Sequence, residues 1–193
     1  MISFKEFFTE AVSDSVVFTF GRMNPPTIGH GKLIDKVLSV AKSSGAKPII
    51  YPSKTEDDNK NPVPFKMKVK VLKDVYGRIV DIDRSIKNAF DVLDQLDDKN
   101  ISKVTFVVGS DRVSEFQKNM TSHIKKNLNN IKDFSVVSAG ERDPDASGVA
   151  GMSGSKMRSF VKKDDFDNFR KGLLTKSSKL AKTVFTLLQK KLN

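Results

Sequence analysis

Short β-branched and aromatic runs alternate along this chain with longer segments whose apolar residues recur every three or four positions. That alternation is the strongest constraint on its fold. Val16-Val-Phe-Thr-Phe20, Pro48-Ile-Ile-Tyr51, Ile79-Val-Asp-Ile82, Val104-Thr-Phe-Val-Val108 and Phe134-Ser-Val-Val137 read as strands. Between them, Gly29 to Lys42 carries a stripe of Leu33, Ile34, Val37, Leu38 and Ala41, and Ile86 to Leu96 carries Phe90, Val92, Leu93 and Leu96. Residues 65–75 fit both periods: Phe65, Met67, Val69 and Val71 alternate with lysines, while Met67, Val71, Leu72 and Val75 share a helical face. Their place between two strands asks for a crossover, so they are predicted to be a helix that stops at Gly77. Repeated strand–helix units predict an α/β fold: a doubly wound, five-stranded parallel sheet with helices on both faces. Ligands of such sheets bind outside the carboxyl ends of the strands, near a topological switch point.

Composition removes several chemistries. The chain has no Cys, so disulfides, thiolate nucleophiles and Cys-ligated metals are excluded, and two His cannot build a His-rich metal site. No stretch approaches the roughly 20 apolar residues of a membrane span. The net charge of +11 points to polyanionic partners. It is concentrated from Lys156 to Asn193, where eleven Lys and Arg face three Asp, and a solvated basic helical tail accounts for such a bias as readily as a binding surface.

Three segments are expected. Residues 1–14 form an amphipathic leader, with Phe4, Phe7 and Phe8 on one stripe and no secretory h-region. Residues 15–165 form the α/β domain. Residues 166–193 form basic C-terminal helices whose Leu173, Leu174, Leu180, Val184, Phe185, Leu187 and Leu188 pack on the sheet edge of the same domain. The leader either docks on the domain or serves a partner groove. It also resembles the leaders of internal head proteins of large tailed phages, with Phe8-Thr-Glu10 before Ala11 as the cleavage site. That likeness implies prohead association.

Chemistry concentrates at three strand ends. After the first strand, Gly21, Arg22, Met23 and Asn24 lead through Pro25-Pro26 to Thr27, Gly29 and His30, where a helix begins. Gly21 permits a tight turn, the prolines stiffen the loop, and Gly29 lets backbone approach a ligand at a helix N-terminus, which favours phosphate. Without a ligand the same segment is a rigid turn with a surface His. Far downstream, Gly151-Met-Ser-Gly-Ser-Lys-Met-Arg158 offers Ser153, Gly154 and Ser155 at a second helix start, with Arg158 one turn on. Hydroxyls, open N–H groups and a guanidinium suit a polyphosphate, although a Ser cap with a chance Arg has the same pattern. Third, Gly109 and Asp111 follow the strongest strand; Asp111 either accepts from ribose hydroxyls or caps the next helix, and Arg112 beside it could meet a second phosphate. The polar loop 53–64 is long enough to be a lid, with Lys54 and Lys60 reaching phosphates or solvent.

The first segment resembles the signature of the nucleotidylyltransferase superfamily, Gly-x-Phe-x-Pro leading into (His/Thr)-x-Gly-His, with Met23 in place of Phe. The second resembles that family's Ser-(Ser/Gly)-Thr-x-(Ile/Val/Met)-Arg, with Ser155 in place of Thr. The resemblance covers residues 16–165 and implies a Rossmann-like fold. It also implies catalytic roles for His30, Thr27 and Arg158, and nucleotide contacts from Gly21, Arg22, Met23, Asn24, Gly29, Gly109, Asp111, Ser153, Gly154 and Ser155. The reaction so implied transfers a nucleoside monophosphate from a nucleoside triphosphate to a phosphorylated acceptor, releasing pyrophosphate. Mg²⁺ would ride on the phosphates, with few or no protein ligands. The motif style is most similar to adenylyltransferases acting on nicotinamide mononucleotide, although the Trp those enzymes often stack on the ring is absent. The alternatives are a cytidylyltransferase acting on a phosphorylated alcohol, and a non-enzymatic basic head-internal protein binding DNA. A cytoplasmic protein with no membrane partner is expected, in the host cytoplasm or inside the virion if the phage likeness holds, and nucleic acid is the less favoured partner.

Overall fold

Val16 and Phe18 face one side of the sheet and Val17 the other, and both sides are buried, as an unbroken apolar run requires. A computed structural model of the chain describes residues 14–141 and 151–192. Among them, β1 (Ser15–Gly21), β2 (Lys47–Pro52), β3 (Lys103–Val108) and β4 (Asp133–Ser138) form a four-stranded parallel sheet in the order β2-β1-β3-β4. Phe18 of β1 stands in register between Ile49 of β2 and Phe106 of β3.

The helices are α1 (Ile28–Ser44), α2 (Phe65–Tyr76), α3 (Ala89–Asp98), α4 (Val113–Asn127), α5 (Gly154–Lys162), α6 (Phe166–Gly172) and α7 (Ser178–Leu192). On one face, Val37 and Ala41 of α1 meet Val17 and Val107, and Leu72 and Tyr76 of α2 meet Ile34 and Ile50. On the other, α3 and α4 bring Val92, Leu93, Leu96, Met120 and Ile124 onto Val16, Phe18, Val104 and Phe106. Phe18 and Phe106 stack with ring centroids 4.5 Å apart, and Tyr51 and Phe116 close on them edge-on. Thr19 is fully buried on the central strand, which is tolerable because its hydroxyl donates to the Val107 carbonyl at 3.0 Å.

The predicted strand at 79–82 is not formed. A 3₁₀ turn over Gly77–Ile79 is followed by one bridge, Val80 to Ile50, and Ile82 is 58% exposed. Two aspartates end the pairing. The Asp81 carboxylate accepts the Asp83 N–H at 2.7 Å, and the Asp83 carboxylate accepts from Ser85 N at 2.8 Å. These local turns compete with a ladder for the same backbone groups. The sheet therefore has four strands, while the helix at 65–76 stands as expected.

The C-terminal helices differ from expectation too. Of the expected residues only Leu174, just past α6, joins the cluster that holds Ile50 of the edge strand β2; Phe169, Leu173, Leu180, Ala181, Val184, Phe185 and Leu188 instead form a separate core with Met157 and Val161 of α5 and Val63 and Val71. The leader's Phe4, Phe7, Phe8 and Glu10 lie outside the described residues. No described helix is long and apolar enough to cross a membrane.

The Phe18–Phe106 stack joins the two central strands to both helices of one face. Phe106→Ala should lower the unfolding free energy by about 3–5 kcal/mol, seen as a lower urea midpoint with an unchanged far-UV spectrum. A change within experimental error would remove the stack from the core's supports.

Candidate active site

β1 sends its chain toward β2 and β3 sends its chain toward β4, so their following loops part and leave a crevice between them. The first sequence motif lines one wall. Met23 takes a left-handed backbone (φ 43°), yet its side chain is buried among Ile34, Ile50, Leu72 and Tyr76. That burial anchors the loop in a conformation a non-glycine residue rarely holds. The Asn24–Pro25 peptide is cis. Asn24 is buried, and its side chain is spent on the loop after β2: Nδ2 donates to the Val63 carbonyl at 3.0 Å, and Oδ1 accepts from Val63 N at 2.9 Å.

Thr27 caps α1, and His30 completes a reciprocal capping box. His30 Nδ1 accepts the Thr27 backbone N–H at 3.0 Å and lies 2.8 Å from Thr27 Oγ1. A backbone amide can only donate, so Nδ1 is the acceptor and the ring proton sits on Nε2. Gly29 lies in the first turn of the same helix.

The second motif meets the first directly. Thr27 Oγ1 donates to the Met152 carbonyl at 2.9 Å across 125 positions of sequence. Arg158 Nη1 donates to the Asn24 carbonyl at 2.8 Å, and Nη2 to Ser155 Oγ at 3.1 Å. Ser153 caps α5, accepting from Lys156 N at 3.3 Å. A Cβ on Gly154 would stand 2.6 Å from the Asn24 carbonyl oxygen, so only glycine lets the two backbones close to this distance. Burial lowers the half-buried Arg158 guanidinium from its ordinary value; Asp57 opposes that shift, and the charge of exposed Arg22 reinforces it. Two helix N-termini and two guanidiniums thus share one crevice, an arrangement that attracts a polyphosphate.

The third segment lies at the end of β3. Asp111 caps neither the 3₁₀ turn Ser110–Arg112 nor α4. Its carboxylate folds back over Gly109, where a Cβ would lie 2.7 Å from Oδ1, and it stays exposed with Arg112 Nε at 4.0 Å. Lys54 points elsewhere than expected, donating to the Arg84 carbonyl at 2.7 Å. Lys60 gives its backbone N–H to Asp57.

Two participants in this region escaped the sequence reading. Asp57 organises the turn 57–61, and the Asn61 amide with the backbone N–H groups of Lys60, Asn61 and Asn59 holds its carboxyl down to about 2. Lys68 is fully buried on α2, and its ammonium donates to the Ser53 and Thr55 carbonyls. Ser53 N in turn donates to the Gly21 carbonyl at 2.8 Å. The available signal was a lysine on the apolar face shared by Phe65, Val71 and Leu72. Among the described residues, no three acidic or His side chains gather to hold a metal ion.

Burial lowers Lys68 to about 8, with Glu56 opposing the shift. The folded value lies below that of an unfolded lysine. Between about pH 8 and pH 10 the unfolded chain therefore binds a proton that the native state lacks, and stability rises with pH. Below pH 8 the full cost of the buried charge is present. Urea titrations should show native stability climbing over this interval more steeply than in Lys68→Met; equal slopes would mean the ammonium is not buried.

At the level of whole chains, a nicotinic acid mononucleotide adenylyltransferase from Plasmodium falciparum complexed with NaAD superimposes with a TM-score of 0.61 at 12% identity, covering 93% of this chain and 98% of that one. Its complex with APC gives 0.58 at 11% identity over the same shares. A protein from Vibrio parahaemolyticus assigned as a nicotinate-nucleotide adenylyltransferase gives 0.55 at 16%, covering 90% and 97%. At these identities the likeness establishes the fold, and these matches lend nothing to the phage resemblance of the leader. No curated protein sequence matches the chain. The profile of the cytidylyltransferase-like family, however, matches residues 18–168. That span holds both motifs and the crevice they enclose, and the chain belongs to the cytidylyltransferase-like family of nucleotidylyltransferases.

Proposed function

We propose that the protein transfers AMP from ATP to the phosphate of a pyridine mononucleotide, nicotinamide mononucleotide or its acid, and releases pyrophosphate. The observation that carries this reading is the direct contact between the two phosphate motifs, Arg158 on the Asn24 carbonyl and Thr27 on the Met152 carbonyl. The adenylyl choice draws its support from the adenylyltransferases that share the fold over nearly the whole chain.

An acceptor phosphate oxygen attacks the α-phosphorus, forming one P–O bond while the bond to the β-phosphate breaks and its electrons leave with pyrophosphate. The attacking oxygen is already anionic, so no side chain need remove a proton. What the protein supplies is alignment and charge neutralisation. With Nδ1 committed to Thr27, His30 directs Nε2–H as a donor toward the phosphates. The α5 N-terminus, with Gly154 and Ser155, and Arg158 take the β- and γ-phosphates, and Arg22 adds positive charge beside them. In this reading Asp111, exposed just past the end of β3, accepts from ribose hydroxyls. The family typically uses a divalent metal. Around the phosphates stand donors, His30, Arg22, Arg158 and two helix N-termini, so Mg²⁺ would be held by the nucleotide rather than by these side chains and would screen the phosphate charge. Lys60, on the turn organised by Asp57, is assigned to the acceptor side.

Pyrophosphate release should be measured with Mg²⁺, offering ATP or CTP against both pyridine mononucleotides and a panel of phosphorylated alcohols. ATP-dependent release with a mononucleotide is expected. His30→Ala should lower kcat by about 10²–10³ without unfolding the chain, the scale of one lost transition-state donor. Arg158→Lys keeps a charge but loses the planar fork and should raise KM for the triphosphate. CTP preference would move the protein to the cytidylyl branch. Full turnover by His30→Ala would overturn the assignment of that residue.

A further inference from the structure

From Asn168 to Asn193 the chain holds seven Lys and Arg and no Asp or Glu. The core formed with α5 and α6 takes Leu180, Ala181, Val184, Phe185 and Leu188 of α7. The opposite face of the helix carries Lys179, Lys182, Thr183, Thr186 and Lys190, which with Leu187 and Lys191 line a shallow groove. At the start of the same helix, Arg170, Lys171 and Lys176 line a second cleft with Ser178. Neighbouring carboxylates neutralise little of this. Asp58 pairs with Lys191 at 3.2 Å, while Asp74 serves Thr175 and the Lys176 backbone, and Asp164 serves Gln189. Among the described residues, Lys179, Lys182 and Lys190 have no ion pair. The phosphate crevice uses none of these cations.

We propose that this face of α7 binds the phosphate backbone of double-stranded DNA without sequence preference. The lysines run from 179 to 191, about 18 Å along a helix. Duplex DNA offers the dense, regular row of charge that such a stripe complements. Single strands are gripped by exposed aromatic platforms on which bases stack. Here the half-buried Phe166 lies under the Lys182 ammonium, 4.7 Å from the ring centre. A membrane surface would call for several exposed large apolar side chains beside the lysines; this groove has one, the half-buried Leu187, and Ile82, the one fully exposed large hydrophobic among the described residues, lies after β2. The helix is held rigid by its buried stripe, so binding need not order it first.

The test is fluorescence anisotropy of the full chain with a mixed-sequence 24-base-pair duplex between 50 and 200 mM KCl. Neutralising four phosphates should lower affinity by about a hundredfold across that range. The double variant Lys179→Gln, Lys190→Gln should bind at least tenfold more weakly at 50 mM salt. Its log–log salt slope should be shallower by about two, with an unchanged CD spectrum. Excess Mg²⁺–ATP should leave the duplex bound. The proposal is overturned by absence of duplex binding at 50 mM KCl, or by equal binding of variant and wild type. Displacement by ATP would place the DNA in the phosphate crevice and overturn it too. So would tighter binding to a single strand or to phosphatidylserine vesicles.

Discussion

The backbone carbonyl of Asn24 is the point on which the site depends. It accepts the Arg158 guanidinium and stands so close to Gly154 that no side chain fits between them. The same residue's buried amide holds Val63 from both its donor and acceptor sides. Three segments distant in sequence, the β1–α1 loop, the loop after β2 and the start of α5, are therefore braced through one residue. A buried amide must keep its partners or bear the cost of desolvation, so each segment restrains the others. That mutual restraint is the preorganisation that phosphate chemistry needs, since alignment supplies most of the rate.

The C-terminal helices serve this brace from behind. Gly172 lies against the sulfurs of Met152 and Met157, where a Cβ would come within 2.7 Å of both. Leu173 bridges to Thr27, and Leu174 N donates to the Pro26 carbonyl at 3.2 Å. The apolar stripe of α7 thus supports α5, and through α5 the second phosphate motif. Its lysines fall on the outer face as a consequence, because an amphipathic helix with one buried stripe must turn its charges to water.

Several features were legible from residue pattern alone. The four strands that formed are short β-branched and aromatic runs, as a sheet covered on both faces favours, with Thr19, Thr105 and Ser135 tolerated where their hydroxyls find partners. The helix at 65–76 followed from the need for a crossover, although its lysines alternate like those of a strand. The segment 79–82 misled because hydrophobicity says nothing of where backbone N–H groups go: Val80 N turns back to the Gly77 carbonyl, and after Asp81 N reaches Ile50 the Asp81 carboxylate takes the Asp83 N–H into a local turn. Lys54 looked like a lid cation from position and charge, yet its ammonium found the Arg84 carbonyl. Lys68 was overlooked because a lysine is rarely buried. Here two loop carbonyls satisfy it.

What the sequence determined by itself was local: strand and helix periods, the Ser cap at 153, and the two segments fit for phosphate. Periodicity, capping and loop composition act over a few residues, so they can be read along the chain. Tertiary structure alone decided that Thr27 would meet Met152 and Arg158 would meet Asn24, across 125 and 134 positions. These outcomes depend on strand order and on which polar groups burial leaves in need of a partner, and neither is written in any single segment.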